Sequence, residues 1–286
     1  MAEISIIVPC FNEEHALAKF LPTLNKELLS CCKVAYEIIV VDDGSKDNSA
    51  EVIKKFKYAK LIKHPENIGY GAALKTGIRN CSGKWILIID SDGTYNPNEI
   101  KRLLNKRKNY DMIIGARTGK NVHIPLLRKP AKLFLKLLSE YVTGKKIPDL
   151  NSGLRLFRKN MCYDFWKLYP QGFSFTSTIT IGAMSNGYRI KFIPINYLKR
   201  IGKSSINPIK DFIGFTRLIL KLMLFFRPLK IFLPISIFFF ALSTITIMHN
   251  YYFFSKIVYD LTILFSFFIG MNTLMLGLIA EMISKR

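Results

Sequence analysis

The sequence predicts an α/β fold with a doubly wound, mostly parallel sheet, followed by amphipathic helices and a C-terminal pair of membrane-spanning helices. Three observations predict it. Aliphatic runs alternate with amphipathic stretches of roughly ten residues between Ile4 and Ala116, the pattern of strands joined by crossover helices. Several of those runs end in acidic residues, at the strand ends where ligands of open parallel sheets bind. Finally, residues 231–248 and 261–280 contain no charged side chain, and about 18 to 20 apolar residues suffice to cross a bilayer.

In chain order, residues 4–9 read as a first strand, and 14–29 place apolar side chains at helical spacing. Residues 36–42 are a second strand, closed by the turn Asp43-Gly44-Ser45, with a helix at 49–56 behind it. A short third strand is expected at 59–63. The segment from Asn67 to Gly71 opens a helix running to residue 80. Residues 85–90 form a buried fourth strand, Pro97 starts a helix at its favoured first position, and 111–116 form a fifth strand. Residues 124–143 and 208–226 are basic amphipathic helices. In the second, Ile209, Phe212, Ile213, Leu218, Ile219, Leu222, Met223 and Phe226 share one broad face, with Lys210, Arg217, Lys221 and Arg227 among them. Such a helix beside a span lies in the membrane interface or packs on the soluble core.

The 286 residues carry 42 Lys and Arg against 20 Asp and Glu, a formal charge of +22. That excess suits nucleic acid or an anionic membrane. With two spans the membrane is the expected partner and no specific nucleic acid is expected, since neither a zinc spacing nor an RNA-binding motif accompanies the charge. Between the spans, residues 249–260 hold one lysine, Lys256, whereas Lys285, Arg286 and the basic upstream domain flank them. The positive-inside rule then places both termini in the cytoplasm. Cys10, Cys31, Cys32, Cys81 and Cys162 show no paired spacing, which argues against a disulfide framework. Residues 1–9 read as a strand rather than a signal peptide, so the two spans are expected to carry the membrane signal. Gly270 and Gly277 would let span hairpins of neighbouring copies approach closely, which allows a homo-oligomer.

The chemistry concentrates at strand ends. Asp90 and Asp92 follow the fourth strand, Asp42 and Asp43 the second, and Glu13 the first. Two neighbouring carboxylates repel one another unless a cation lies between them, and hard oxygens suit magnesium or manganese carrying a phosphate substrate. Neither a glycine-rich dinucleotide loop nor a Gly-Lys-Ser/Thr phosphate loop is present. Acidic strand ends suit ribose hydroxyls, base N–H groups and a metal. Taken singly, Asp43-Gly44 reads as a turn and Asp47 as a helix cap.

Five groups of residues then fall into a recognisable order. They are Pro9 to Glu14; Val40-Val41-Asp42-Asp43-Gly44-Ser45 with Asp47; Asn67, Gly69, Gly71 and Ala73; Asp90 with Asp92; and Gly115 with Arg117. This set resembles family 2 glycosyltransferases. Asp149, Ser152, Gly153 and Arg155, then Arg200, Gly202 and Ser204, extend the resemblance to the dolichyl-phosphate mannose synthase branch and its bacterial polyprenyl-phosphate relatives. It covers most of residues 3–210 and implies a GT-A type fold. It also implies that Pro9, Phe11, Glu13, Asp42 and Asp90 bind a UDP- or GDP-linked sugar, and that Asp90 and Asp92 hold Mg2+ or Mn2+. Many relatives have a glutamine where Thr94 stands, which leaves Thr94 as the third candidate metal contact. Arg117, Arg128, Arg200, Lys203 and Ser204 are implied for lipid phosphate or diphosphate, and Ser152 and Gly153 for the sugar pocket.

A lipid phosphate is already anionic near neutral pH and needs little deprotonation; Asp149 is the candidate if a general base is used. The implied organisation is a cytosolic catalytic domain at 1–206, an interface helix at 207–228, and spans near 230–249 and 260–282. The expected reaction is inverting transfer to a dolichyl or undecaprenyl phosphate. Rival readings are a family 2 transferase with another lipid or glycan acceptor and a non-catalytic membrane adaptor. A processive polysaccharide synthase would carry a Gln-x-x-Arg-Trp motif, whereas Gln171 here precedes Gly172, Phe173, Ser174 and Phe175.

Overall fold

A computed structural model of the chain describes residues 2–119, 129–172, 174–198, 208–253 and 258–285. The chain divides into two compact units, Met1–Thr216 and Arg217–Arg286. The first is built on β1 (Ile4–Cys10), β2 (Tyr36–Asp42), β3 (Ala59–Lys63), β4 (Trp85–Ile88), β5 (Met112–Ala116), β6 (Arg155–Arg158) and β7 (Ile190–Pro194). They form one sheet in the order β3-β2-β1-β4-β6-β5-β7. Strands β1 to β4 pair parallel, as do β5 and β7, while β6 runs antiparallel to both of its neighbours. The predicted mostly parallel sheet is present, with two more strands than the five expected. β6 and β7 span only 4 and 5 residues, β6 begins and ends in arginine, and β7 ends in proline, so neither shows the aliphatic run that marks a strand.

Every residue of β1, β4 and β5 is buried, which is why these strands read as continuous apolar runs rather than alternating ones. Helix α1 (Glu14–Cys31) covers one face with Ala16, Leu17, Phe20, Leu21, Leu24 and Leu28 at helical spacing. All of these but Ala16 join Ile4, Ile6, Val8, Ile38, Val40 and Leu87 in the core. The remaining helices of this unit are α2 (Ser49–Lys54), α3 (Tyr70–Arg79), α4 (Ile100–Leu104), α5 (Lys129–Thr143), α6 (Lys159–Asp164) and α7 (Phe175–Ser185). Pro97 opens a single 3-10 turn ahead of α4, capped by the Asn96 side chain accepting from the Asn98 N–H.

Register positions the site. β4 stops pairing at Ile88, two residues earlier than expected, because its partnerships with β1 and with β6 both end there. The antiparallel pair Ile88↔Arg155, extended outward, sets Gly153 opposite Asp90. On the other side Cys10 pairs with Asp42. Three carboxyl ends and the turn entering β6 therefore meet at one edge.

Of the amphipathic helix expected at 124–143, residues 124–128 lie outside the described residues. The rest is α5, which leaves Leu133, Phe134, Leu137 and Tyr141 exposed and buries Val142. The Phe134 ring meets Phe212, their centroids 5.8 Å apart.

Helix α8 (Pro208–Phe226) runs across the division between the units. In the second unit α9 (Leu229–Phe253) and α10 (Val258–Ser284) pack together. Both contain stretches long and apolar enough to cross a membrane, Leu229–Tyr252 and Asp260–Ser284, with mean hydropathies of 2.2 and 2.0. Gly270 and Gly277, read as allowing close approach of helices, face α9 of the same chain. A Cβ on Gly277 would lie 2.6 Å from Phe232 Cβ, and one on Gly270 would lie 3.1 Å from the Phe240 ring. Ser236 Oγ also donates to the Gly270 carbonyl at 2.8 Å. The small residues serve close packing inside the hairpin.

Candidate active site

At the β2 end, Asp42 is fully buried. Its Oδ1 accepts the Ser45 N–H at 2.9 Å, while Oδ2 is buried and has no hydrogen-bond partner. A carboxylate oxygen left without a donor in the interior is costly and calls for a ligand N–H or O–H. Pro9, beside Asp42's ladder partner Cys10, is buried, and its carbonyl accepts the Ser91 hydroxyl at 2.9 Å. Glu13 is buried and Phe11 lies at the surface. Asp47 bridges two helix starts, its Oδ2 accepting the Glu14 N–H and its Oδ1 the Ser49 N–H, as a capping carboxylate should.

Asp43 does more than make a turn. Its Oδ1 accepts from Ile68 N at 3.1 Å and pairs with His64 Nδ1 at 2.7 Å, and its Oδ2 accepts from Gly69 N at 2.8 Å. His64 Nε2 meets Thr76 Oγ1 at 2.9 Å. The carboxylate can only accept, so Nδ1 carries the proton and Thr76 donates to Nε2 when the ring is neutral. This network binds β2, the end of β3 and the start of α3 together.

Asp90 and Asp92 lie at the β4 end. Asp90 Oδ1 accepts the Tyr70 hydroxyl at 2.9 Å. Asp92 Oδ1 accepts both the N–H and the hydroxyl of Thr94, at 3.1 and 2.6 Å. Thr94 is fully buried and commits its hydroxyl proton to Asp92; it is placed to orient that carboxylate. Burial, with the Asp92 charge second, pushes the Asp90 carboxyl up to about 6. Burial and the Asp90 charge hold the Tyr70 hydroxyl well above its usual range, so Tyr70 remains a donor.

The turn before β6 closes the site. Tyr95 Oη accepts the Gly153 N–H at 2.7 Å, and a Cβ on Gly153 would lie 2.0 Å from Asp90 Oδ2. Ser152, expected with Gly153 to shape the sugar pocket, has a fully buried side chain whose hydroxyl donates to the Gly115 carbonyl. Arg155 is fully buried as well, donating to the Ser152 and Thr176 carbonyls and to Thr180 Oγ1. Burial lowers its pKa to about 10, and among the described residues it makes no ion pair. The guanidinium ties the turn to the first turns of α7.

Asp149, the candidate general base, is engaged by Arg117. Arg117 gives it three donors, the backbone N–H at 2.9 Å, Nε at 2.8 Å and Nη2 at 2.9 Å, and Asn151 N–H adds a fourth at 3.2 Å. A carboxylate so engaged is stabilised in its charged form and is a poor proton acceptor. What it does is hold Arg117, whose guanidinium also stacks over Tyr197 at 5.2 Å. Arg128, Arg200, Lys203 and Ser204 lie outside the described residues. The last described residue before Arg200, Leu198, donates its N–H to the Thr94 carbonyl at 2.9 Å.

Tyr70, Tyr95, His64 and Tyr197 escaped the reading of the sequence. Only Tyr70 left a trace there, as the residue between the two glycines of the Gly69 and Gly71 motif.

Among the described residues no three His, Cys, Asp or Glu side chains gather to hold a metal. The pair Asp90 and Asp92 fits a magnesium- or manganese-type ion that takes one or two carboxylates and completes its shell with substrate phosphate. Because the Asp90 pKa is raised above its unfolded value of 3.8, the stability it contributes is present below that value and lost as pH rises through about 6. A bound cation removes this cost. Mn2+ is therefore expected to raise the unfolding temperature more at pH 7.5 than at pH 5.5, measured by thermal denaturation; equal shifts would contradict metal binding at Asp90.

A sequence profile of glycosyl transferase family 2 matches residues 5–166, and a profile of the GtrB C-terminal hairpin matches residues 227–285. The chain is 33% identical over 207 residues to the uncharacterized protein MJ1222 of Methanocaldococcus jannaschii, covering 68% of this chain and 80% of that one. It is 32% identical over 178 residues to the dolichyl-phosphate beta-glucosyltransferase ALG5D of Trichomonas vaginalis, covering 56% of this chain and 54% of that one. The chain thus spans about half the length of that relative. Its fold matches a Mycobacterium tuberculosis glucosyl-3-phosphoglycerate synthase crystallised with Mn2+, UDP and glucosyl-3-phosphoglycerate. The TM-score is 0.57 at 17% identity, over 78% of this chain and 79% of that one.

Proposed function

Because the chain belongs to glycosyl transferase family 2, we propose that it moves a sugar from a nucleoside diphosphate carrier to a polyprenyl phosphate at a membrane surface. The observation that carries this reading is the meeting of Asp42, Asp90 and Asp92 at one sheet edge in a chain that ends in an apolar helical hairpin. The dolichyl-phosphate relative supports the acceptor class, and the UDP in the solved neighbour supports a nucleotide donor, UDP- or GDP-linked.

In this reading the free Oδ2 of Asp42 accepts a donor from the base or ribose, with Pro9, Phe11 and Glu13 around it. Asp90 and Asp92 hold a divalent ion, which when bound supplies positive charge to the departing diphosphate. Arg117, locked by Asp149, presents its guanidinium to phosphate oxygens, and Arg128, Arg200, Lys203 and Ser204 are assigned to the acceptor side. With Asp149 occupied by Arg117, the reaction runs on the charge the lipid phosphate already carries. A single in-line displacement then inverts the anomeric carbon.

Residues 1–206 would form the cytosolic catalytic domain, 207–228 an interface helix, and 230–249 and 260–282 the spans, with both termini cytoplasmic. The exposed Leu133, Phe134, Leu137 and Tyr141 of α5, with Lys136 beside them, suit contact with lipid.

The membrane-bound protein, given a panel of labelled sugar nucleotides, Mn2+ or Mg2+ and a short polyprenyl phosphate, is expected to yield an organic-extractable sugar-phosphate lipid. Formation of free sugar or polysaccharide alone, or transfer only to another lipid, would overturn the reading.

A further inference from the structure

We propose that Tyr70 is the positioning residue that presents Asp90 to the divalent ion, an inference that rests on the assignment of Asp90 and Asp92 as metal ligands. Tyr70 is the first residue of α3, and its backbone is fixed from two sides. Upstream, the Asp43 carboxylate takes the Ile68 and Gly69 N–H groups and is itself held by His64. Downstream, the Gly71 and Ala72 N–H groups donate to the carbonyls of Gly172 and Gln171 at 3.1 and 2.9 Å. Gly69 has φ +118°, and a Cβ there would lie 2.7 Å from the Gln171 carbonyl oxygen; one on Gly71 would lie 2.4 Å from that of Pro170. Neither glycine tolerates a side chain, so the turn that aims Tyr70 has little freedom.

What it is aimed at is one oxygen of a carboxylate whose other oxygen is also fixed. Tyr70 donates to Asp90 Oδ1, while Oδ2 lies against Gly153 so closely that a Cβ would overlap it. The carboxylate plane is therefore set before any ion arrives. A donor on Oδ1 also withdraws charge from a group that faces Asp92, easing the repulsion between the two. Hydrogen-bond partners that orient metal ligands typically change metal affinity by about 10- to 100-fold when removed.

Tyr70→Phe removes the hydroxyl and keeps the ring. With the full-length protein in detergent, Mn2+ titration followed by electron paramagnetic resonance is expected to show affinity reduced by about tenfold or more. The variant should stay folded in EDTA, with no more than the modest fall in unfolding temperature that losing one buried hydrogen bond brings, and its metal-free affinity for nucleoside diphosphate should stay at the wild-type value. Transfer should fall at limiting Mn2+ and recover at high Mn2+, a rescue that a purely structural role would not produce. Unchanged Mn2+ affinity in the variant overturns the proposal, as does unfolding in EDTA without metal rescue. If the wild-type protein itself binds no Mn2+, the metal assignment fails and the role of Tyr70 falls with it.

Discussion

Asp92→Ala is expected to lower glycosyl transfer by about a thousandfold or more, since removing one preorganised group that stabilises transition-state charge already costs about 100- to 1000-fold. Asp92 would contribute through the ion that neutralises the leaving diphosphate, and loss of the ion removes more than one contact. The fold should survive. Asp92 lies past the end of β4, in a loop, and its carboxylate accepts from the N–H and hydroxyl of Thr94 two residues on. Truncation leaves the Thr94 hydroxyl without its acceptor, a penalty of about 1 to 3 kcal/mol, small against abolished catalysis. Initial rates with saturating lipid, alongside circular dichroism of the purified variant, separate the two effects. Transfer at wild-type rate would remove the metal role from Asp92.

Gly153→Ala is expected to have the second largest effect, about a hundredfold loss in kcat or more, in line with the cost of misplacing a reacting group by about 1 Å. The added methyl would lie 2.0 Å from Asp90 Oδ2, far inside contact distance. Something must shift. Gly153 is held by its N–H bond to Tyr95 and by its place next to β6, whereas Asp90 is a side chain, so Asp90 is the group that yields. Its swing breaks the Tyr70 hydrogen bond and separates it from Asp92. The variant should show weakened Mn2+ binding and a depressed rate, with lipid KM near wild type. Normal Mn2+ affinity in a folded Gly153→Ala protein would show that Asp90 need not occupy this position.

The sequence reading reached the strand-end carboxylates because each follows directly on an aliphatic run, so its position needs only local information. Asp42, Asp90 and Asp92 were found in that way. The partners of Asp149 and Ser152 are not legible for the opposite reason. What Asp149 touches is Arg117, thirty-two positions away, and that pairing depends on β6 lying between β4 and β5, which no local pattern announces. Thr94 was weighed as a third metal contact by comparison with relatives, although a threonine two residues after an aspartate can bond back to it. Tyr70 leaves no local signal of its pairing because it opens α3 while its partner Asp90 lies past the end of β4. The glycine pair Gly270 and Gly277 was correctly read as allowing close approach, but the sequence does not say whether the approaching helix belongs to the same chain.

The reversed strand β6 has one more consequence, concerning the order of assembly. β5 and β7 join the rest of the sheet only through β6. As the chain is synthesised, β1 to β4 emerge first, with Asp42, Asp90 and Asp92 at or just past their ends, and can pair among themselves. The β4 edge then stays open until β6 arrives, after α4, β5 and α5, and closing so long a stretch of chain costs entropy before any contact repays it. Arg117 and Gly153 come into place only when that seam closes, so the half of the site that carries Asp42, Asp90 and Asp92 is older in the life of each molecule than the complete site.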